Sequence, residues 1–385
     1  MRVAYIANLD LPNRYAHALQ VMKNAQAWSR VSSDFEFITK VSLKNIRSLD
    51  FSSLAEFYGL THRFPIKAYP LRYLDRSRWH SLQTLFFRLA ARRCKRKKVD
   101  LVFTRCRMLP RFTLALGIPT VAEAHGPPTN SRDKLSLYSQ MSHPDFLAMV
   151  TISEELAGRY RDFGLPPEKI IVQPDGVDME RFSRPLSKDA ARTMLNLPGD
   201  KPVVVYAGHL YDGRGIEDIL AAAAELPGMQ FLLVGGHDAD VDRRKVQTQT
   251  AGLSNVALTG FINNGNLPPY LWAADVLLMP YSIKCPTAQW MSPLKLFEYM
   301  AAGRPVIASE LPAVKTVITH GRNAWLTPPD DGKALAKAIS SLVHSQDLGA
   351  RLARQAYKDV HQYSWENRVK KIMHYINYEA ARNNL

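Results

Sequence analysis

The chain has 385 residues, 46% of them hydrophobic and 22% charged, a make-up that argues for a globular protein large enough for two domains and against disorder. A formal net charge of +15 and a pI near 9.7 give it a field that draws polyanions of any kind. Cys94, Cys106 and Cys285 are odd in number, isolated and without metal-ligand spacing, so they read as buried or idle thiols of a reducing compartment.

Met1 leads straight into the strand-like run Val3 to Ala7, which Asn8 and Asp10 end too soon for a signal peptide. No stretch approaches the roughly 20 apolar residues of a membrane-spanning helix, and the expected location is the cytoplasm. Short apolar runs then alternate with helical patterns: Phe35 to Ile38, Leu101 to Thr104, Thr120 to Glu123, Val203 to Ala207, Phe231 to Val234, Val276 to Met279 and Val306 to Ala308. This alternation predicts βα units and parallel sheets covered on both faces. The absence of a fixed period sets aside a solenoid.

Charge is concentrated between Arg63 and Lys98, where twelve Lys or Arg face a single acid, Asp75. Within this segment Leu82, Leu85, Phe86 and Leu89 recur at helical spacing, with Trp79 and Phe87 nearby and cations crowding the C-terminal end. Two readings fit equally. One is a core helix whose charged end suits the helix dipole; the other is an interfacial patch for anionic lipid headgroups. Nucleic acid is a third reading, and no recognition motif supports it.

Further along, Thr120-Val121-Ala122-Glu123-Ala124-His125-Gly126 reads as a strand whose carboxyl end presents His125 before a glycine and two prolines. Glu123 either orients that histidine or caps a neighbouring backbone group. After the strand Ile170 to Val172, the segment Gln173-Pro174-Asp175-Gly176-Val177-Asp178 marks a domain boundary. The second half opens with Val203 to Gly208, and the loop His209-Leu210-Tyr211-Asp212-Gly213-Arg214-Gly215 enters a helix over Ile216 to Glu225. Glycines such as Gly208 and Gly213 let backbone approach a phosphate at such a turn. Arg214 stands at a helix start, where the dipole disfavours a cation unless an anion is bound there.

The most informative stretch is Ser292 to Ser309, SPLKLFEYMAAGRPVIAS. Ser292 reads as N-cap and Pro293 as first helical residue, so the free N–H groups near Pro293 and Leu294, reinforced by Lys295, would hold an anion. Glu298 follows beside apolar neighbours; on helix grounds alone it would pair with Lys295 at i,i+3. Gly303 then stops the helix before a short strand.

These segments resemble glycosyltransferase family 4, retaining enzymes of GT-B fold. The resemblance rests on the Ser292–Ser309 helix and strand, on Pro174, Gly176-Val177-Asp178 and Phe182 against P-x-GVD-x-x-x-F, and on Gly208 to Gly215 against G-R-L-x-x-x-K-G. It covers most of the chain, most strongly from Ile152 to Leu326. The fold it implies is α/β, two Rossmann-like domains facing each other across a cleft: 1–178 for the acceptor, 179–362 for the nucleotide sugar, and a closing helix in 363–385 that crosses back to the first.

By resemblance Glu298 holds the donor ribose, Arg214 and Lys295 neutralise the diphosphate, Phe261 lies near the base, and His125 with Glu123 meets the donor sugar. The bland alternative for Gly260-Phe261-Ile262 is a strand end with a core phenylalanine. His209 replaces the usual arginine and Arg214 the usual lysine, so His209 serves only if protonated or as a neutral donor. Trp290 stands where the family usually has a glutamate touching the sugar. The glycine-rich first loop is replaced by NLDLPNRY, with Asn13 and Arg14 as candidate acceptor contacts.

The expected function is transfer of a hexose-type sugar from a nucleoside diphosphate, UDP or GDP, to a hydroxyl acceptor, with no cofactor, no metal and no nucleic acid. The basic segment favours a lipid-linked acceptor at an anionic membrane surface, as in polysaccharide or glycolipid assembly. A GT-B epimerase is disfavoured by the missing acid at Trp290. A non-catalytic binding subunit would explain His209 and Trp290 together, but Arg214, Lys295 and Glu298 argue against it.

Overall fold

A computed structural model describes residues 1–43, 45–46, 49–70, 79–128 and 131–382. The chain folds into two compact units, one formed by Met1–Asp175 with Trp365–Leu385 and the other by Gly176–Ser364. Each is a parallel sheet flanked by helices, the Rossmann-like arrangement the alternating pattern predicts.

In the first unit seven strands run in parallel: β1 (Arg2–Asp10), β2 (Asp34–Val41), β3 (Ile66–Pro70), β4 (Leu101–Thr104), β5 (Thr120–Ala124), β6 (Phe146–Thr151) and β7 (Ile170–Val172), in the order β3-β2-β1-β4-β5-β6-β7. Val3 to Ala7 of β1 are buried at every position, as a strand covered on both faces requires. Tyr5 meets Phe37 and Phe103 edge to face at 5.7 and 5.0 Å, and Trp28 of the helix Ala16–Val31 packs on Phe103. The closing helix, Trp365–Arg382, packs on the same helix and ties to it through Arg30 and Glu366 at 3.0 Å.

The second unit has six parallel strands: β8 (Val203–Ala207), β9 (Gln230–Val234), β10 (Val256–Gly260), β11 (Val276–Met279), β12 (Val306–Ser309) and β13 (Trp325–Thr327), in the order β10-β9-β8-β11-β12-β13. In both sheets the chain builds outward from a central strand and then restarts on its other side. The reversals fall between β1 and β4 and between β8 and β11, and the carboxyl ends of strands at such switch points are where open α/β sheets bind ligands.

The basic segment forms the helix Trp79–Arg96, but its buried face is not the stripe the leucines mark. Phe86, Phe87, Ala90 and Cys94 are buried, whereas Leu85 is 45% exposed. The rings of Phe86 and Phe87 fill the space against Tyr69 and Phe112, which turns Leu85 outward beside the exposed Arg88 and Arg92. Arg93 binds Glu36 with two nitrogens, at 2.7 and 2.6 Å. Arg72, Asp75, Arg76 and Arg78 lie outside the described residues. No helix among the described residues is long and apolar enough to cross a membrane.

Candidate functional site

The β8–β11 switch point is shaped first by its glycines. Gly215 caps the helix Ile216–Glu225 with φ of 71°, and a Cβ there would lie 1.6 Å from the Pro280 carbonyl oxygen. Only glycine lets the β8 loop close against the chain leaving β11. A Cβ on Gly208 would sit 2.6 Å from Lys295 Nζ, so that missing side chain is what admits the ammonium. Gly213 lies in the same turn, its carbonyl accepting the Ser282 N–H at 3.2 Å.

Arg214 is held between two rings, 4.7 Å from the centroid of Tyr211 and 4.6 Å from that of Tyr281, and donates to the Tyr211 hydroxyl. Lys295 Nζ lies 3.8 Å from the Tyr206 centroid and 5.0 Å from that of Tyr281. Tyr281 thus serves both cations. Neither has a carboxylate partner among the described residues, and Lys295 Nζ is buried with no hydrogen-bond partner. Burial, then the nearby Arg214, pulls the Lys295 pKa well below the usual lysine range. Two adjoining cations without counter-charge form a site that an anion would complete.

His209 stacks on Tyr211 and His237, with centroids 5.3 and 4.8 Å away. Burial together with His237, Lys295 and Arg214 lowers its pKa to about 4. This favours the neutral imidazole near pH 7 and hence a neutral-donor role.

The helix bearing Lys295 and Glu298 starts later than the sequence predicts. It spans Leu294–Ala301 with Pro293, at φ −77° and ψ 117°, as its N-cap; Ser292 lies outside it. Pro293 itself takes an extended ψ of 117° instead of a helical one, so it stands at the cap and Ser292 falls one residue outside. The orphan N–H groups of the first turn thus begin at Leu294 and Lys295.

Glu298 is buried, and its expected pairing with Lys295 is not made. Its Oε1 accepts from Arg181 Nη1 at 3.2 Å and from Asn264 Nδ2 at 3.1 Å, while Arg181 also reaches the Asn264 carbonyl. The Tyr206–Tyr281 box draws Lys295 off the line to Glu298, and Arg181 takes its place. Sequence reasoning missed both partners, although Arg181 lies inside the boundary motif, one residue before Phe182. Phe261 follows the end of β10 and is half-buried rather than a core residue, and Trp290 is likewise half-buried.

In the first unit His125 follows β5, and its Nε2 lies 2.5 Å from Glu123 Oε1. Glu123 is fully engaged: Oε1 also accepts from Gln20 at 2.6 Å, and Oε2 from Arg368 at 2.9 Å and Asn24 at 3.2 Å. Its side chain has no exposed surface, so it orients His125 and anchors the closing helix instead of touching a donor. Burial pushes its carboxyl up, and Arg368, His125 and Arg105 together overcome this and hold it far below the usual range. Burial, then Arg105, lowers His125.

Ligand atoms of Glu123, His125 and Asp175 lie within 4.8 Å of one another, the spacing of a metal cluster. Glu123 is already spent within this set: its Oε1 meets His125 Nε2 at 2.5 Å and its Oε2 accepts from the Arg368 guanidinium, so a protein cation neutralises it in place of an ion. Asn13 spends its amide within its own loop, donating to the Asp10 carbonyl at 2.9 Å and accepting from the Tyr15 N–H at 3.1 Å. These bonds fix its orientation in the loop, and Arg14 beside it is exposed.

Paired Rossmann-like units, with cations and a carboxylate-bearing helix at the switch point of the second, define the GT-B class of nucleotide-sugar proteins. Solved structures of this architecture include sucrose-phosphate synthase from Thermosynechococcus elongatus, with a TM-score of 0.76 at 20% identity over 99% of this chain and 100% of that one. HepE of Anabaena in complex with UDP-glucose gives 0.71 at 18% identity over 100% and 99%. A model of glycosyl transferases group 1 matches residues 201–345, and a model of glycosyltransferase family 4 matches residues 50–181. The chain belongs to the family 4 glycosyltransferases.

Among named relatives, the putative colanic acid biosynthesis glycosyltransferase WcaL of Salmonella typhimurium is 27% identical over 56% of this chain and 53% of its own length. A phosphatidyl-myo-inositol mannosyltransferase of Mycolicibacterium smegmatis is 27% identical over 66% of this chain and 64% of its own. The matched stretch therefore spans only about half to two thirds of these relatives.

Proposed function

We propose that this protein transfers a sugar, with retention, from a nucleoside diphosphate to a hydroxyl acceptor in the assembly of a polysaccharide or glycolipid. The observation that carries the reading is the pair of cations, Arg214 and Lys295, with no carboxylate partner among the described residues, Lys295 standing one helical turn before the buried Glu298. A diphosphate supplies the missing charge and a ribose the hydroxyls for the carboxylate. UDP or GDP is the proposed nucleotide, and a UDP-glucose complex of a protein with the same fold supports UDP.

In the reaction the bond from the anomeric carbon to the diphosphate oxygen breaks, and its electron pair passes to that oxygen. Arg214, Lys295 and the first-turn N–H groups stabilise this charge in a site that excludes water. The acceptor oxygen attacks the anomeric carbon from the face the diphosphate leaves, and its proton passes to the departing phosphate. No protein nucleophile and no metal is used. His125, fixed by Glu123, keeps the sugar contact that the resemblance gives it. The work is placed at the cytoplasmic face of a membrane, with a lipid-linked acceptor. The outward Leu85 among Arg88, Arg92, Lys95 and Arg96 supports this placement.

Calorimetric titration with UDP-, GDP-, ADP- and TDP-sugars tests the donor. One donor should bind tightly and be lost in Glu298→Ala. Binding of none would overturn the reading in favour of a non-catalytic subunit.

A further inference from the structure

The first unit has a switch point of its own, and a cavity of about 290 Å³ opens there, at the carboxyl ends of β1 and β4. Its walls include Asn8, His17, Phe87, Arg105, Arg107 and Met108, and none of its lining among the described residues is Asp or Glu. In size it sits near the lower end of ligand pockets, about 300 Å³, which suits one sugar-sized ring.

Arg105 carries the argument. It is half-buried, its one hydrogen bond goes from Nη1 to the neutral Gln20 Oε1 at 3.0 Å, and it has no ion-pair partner among the described residues. Arg107 is held at the same wall by the Gly126 and Pro127 carbonyls, at 3.1 and 2.9 Å. Between them, Cys106 accepts the Asn8 N–H on its sulfur at 3.1 Å, which fixes the β1 loop against the β4 loop. His17 reports the resulting field: burial, then Arg105 and His125, holds its imidazole below the ordinary range. The nearby Glu123 is already committed to Arg368, His125, Gln20 and Asn24. The Arg105 guanidinium, with Arg107 at the same wall and no acid among the described lining residues, is suited to a planar or tetrahedral oxyanion.

We infer that this cavity is an acceptor subsite for a hydroxyl-bearing ring that carries an anionic group, a phosphate or a carboxylate, gripped by Arg105 and Arg107. The ring's apolar face rests on Phe87 and Met108. The inference deepens the transferase reading and depends on it. It adds the β4 loop to the candidate acceptor contacts Asn13 and Arg14.

The full chain is titrated with glucose 6-phosphate, glucuronate and glucose, and with UDP in parallel, as wild type, Arg105→Gln, Arg105→Lys and Arg107→Gln. At least one anionic sugar should bind about tenfold or more tightly than glucose. Arg105→Gln should remove that preference and Arg105→Lys should keep most of it, with UDP binding unchanged. Which of the two anionic sugars wins tells phosphate from carboxylate. An anionic preference that is absent, or that survives both glutamine variants, overturns the subsite while normal UDP binding leaves the transferase reading standing. Loss of UDP binding in the wild type overturns the reading beneath it.

Discussion

Arg181 and Glu298 lie 117 positions apart, yet their side chains meet at 3.2 Å with exposures of only 5% and 10%. The contact fastens the start of the second unit to the helix that carries Glu298, the proposed ribose ligand. Removing one member of so buried a pair strands the other without compensation, at a cost of about 3 kcal/mol. Arg181→Met should therefore lower stability in urea unfolding by roughly that much and weaken nucleotide binding. Pairing it with Glu298→Gln should recover part of the stability but none of the binding. Additive losses in the double variant would show that the two side chains act independently.

Gly208 and Lys295 form a second such relationship. A methyl group at Gly208 would stand 2.6 Å from Nζ, and the flexible lysine end would yield before the backbone. Gly208 also holds φ of 144°, where a side chain strains the backbone, so Gly208→Ala should keep the fold but melt clearly below wild type. Its donor KM should rise, because the ammonium leaves the Tyr206–Tyr281 box. An unchanged KM would mean that the position of Lys295 in the box is not the one used with donor.

The depressed pKa of His209 has a sign that can be tested. The folded chain resists a proton that the unfolded chain accepts near pH 6.5, so this residue adds no penalty above that pH and destabilises as pH falls toward about 4. His209→Gln should melt more nearly level with wild type at pH 7 and above it at pH 4.5. Its donor affinity between pH 6 and 8 should show no titration that wild type lacks. A wild-type binding profile with a step near pH 6.5 that vanishes in the variant would contradict a neutral imidazole.

Glu123 and Arg368 answer to pH in the opposite sense. The carboxyl is held low in the folded state, so its contribution is complete above the ordinary carboxylate pKa and is lost as pH falls below it. Without the guanidinium, burial dominates and the carboxyl is driven up. Arg368→Met should cost about 3 kcal/mol at pH 7, and the deficit should shrink as the pH is lowered toward 4. A deficit independent of pH would assign Arg368 to packing alone.

The outward face of the helix Trp79–Arg96 makes the membrane placement testable by flotation. Wild type should float with vesicles containing anionic lipid and remain behind with neutral ones, with the bound fraction falling as salt rises. Replacing Arg88, Arg92 and Arg96 by Glu should abolish flotation while Arg93, paired with Glu36, is left to hold the helix in place. Equal flotation of the reversed variant would remove the basis for a membrane-bound acceptor.

Much of this was legible in the sequence where the determinants are local. The eight apolar runs are strands because each is buried on both faces, and Gly208, Arg214, Lys295 and Glu298 sit on segments whose turn and helix signals are continuous. The strands left unmarked include β3, β10 and β13, which lie at or next to sheet edges and carry a weaker apolar signal, and β6, whose run is interior and apolar yet was passed over. The helix starts one residue later than its proline suggests because the ring fixes φ but not ψ, and Pro293 takes an extended ψ of 117°. Arg181 and Arg368 were invisible because their partners lie 117 and 245 positions away, and no periodicity spans such distances.

The order in which the chain is made bears on the first unit in a particular way. Its last helix, Trp365–Arg382, follows the whole of Gly176–Ser364, yet it supplies the guanidinium that neutralises Glu123. During synthesis the buried Glu123 carboxylate therefore stays unmatched until the whole of Gly176–Ser364 has emerged, whereas every residue of the second unit is present by then. A fragment ending at Ser364 would hold the second unit entire and a first unit short of its guanidinium.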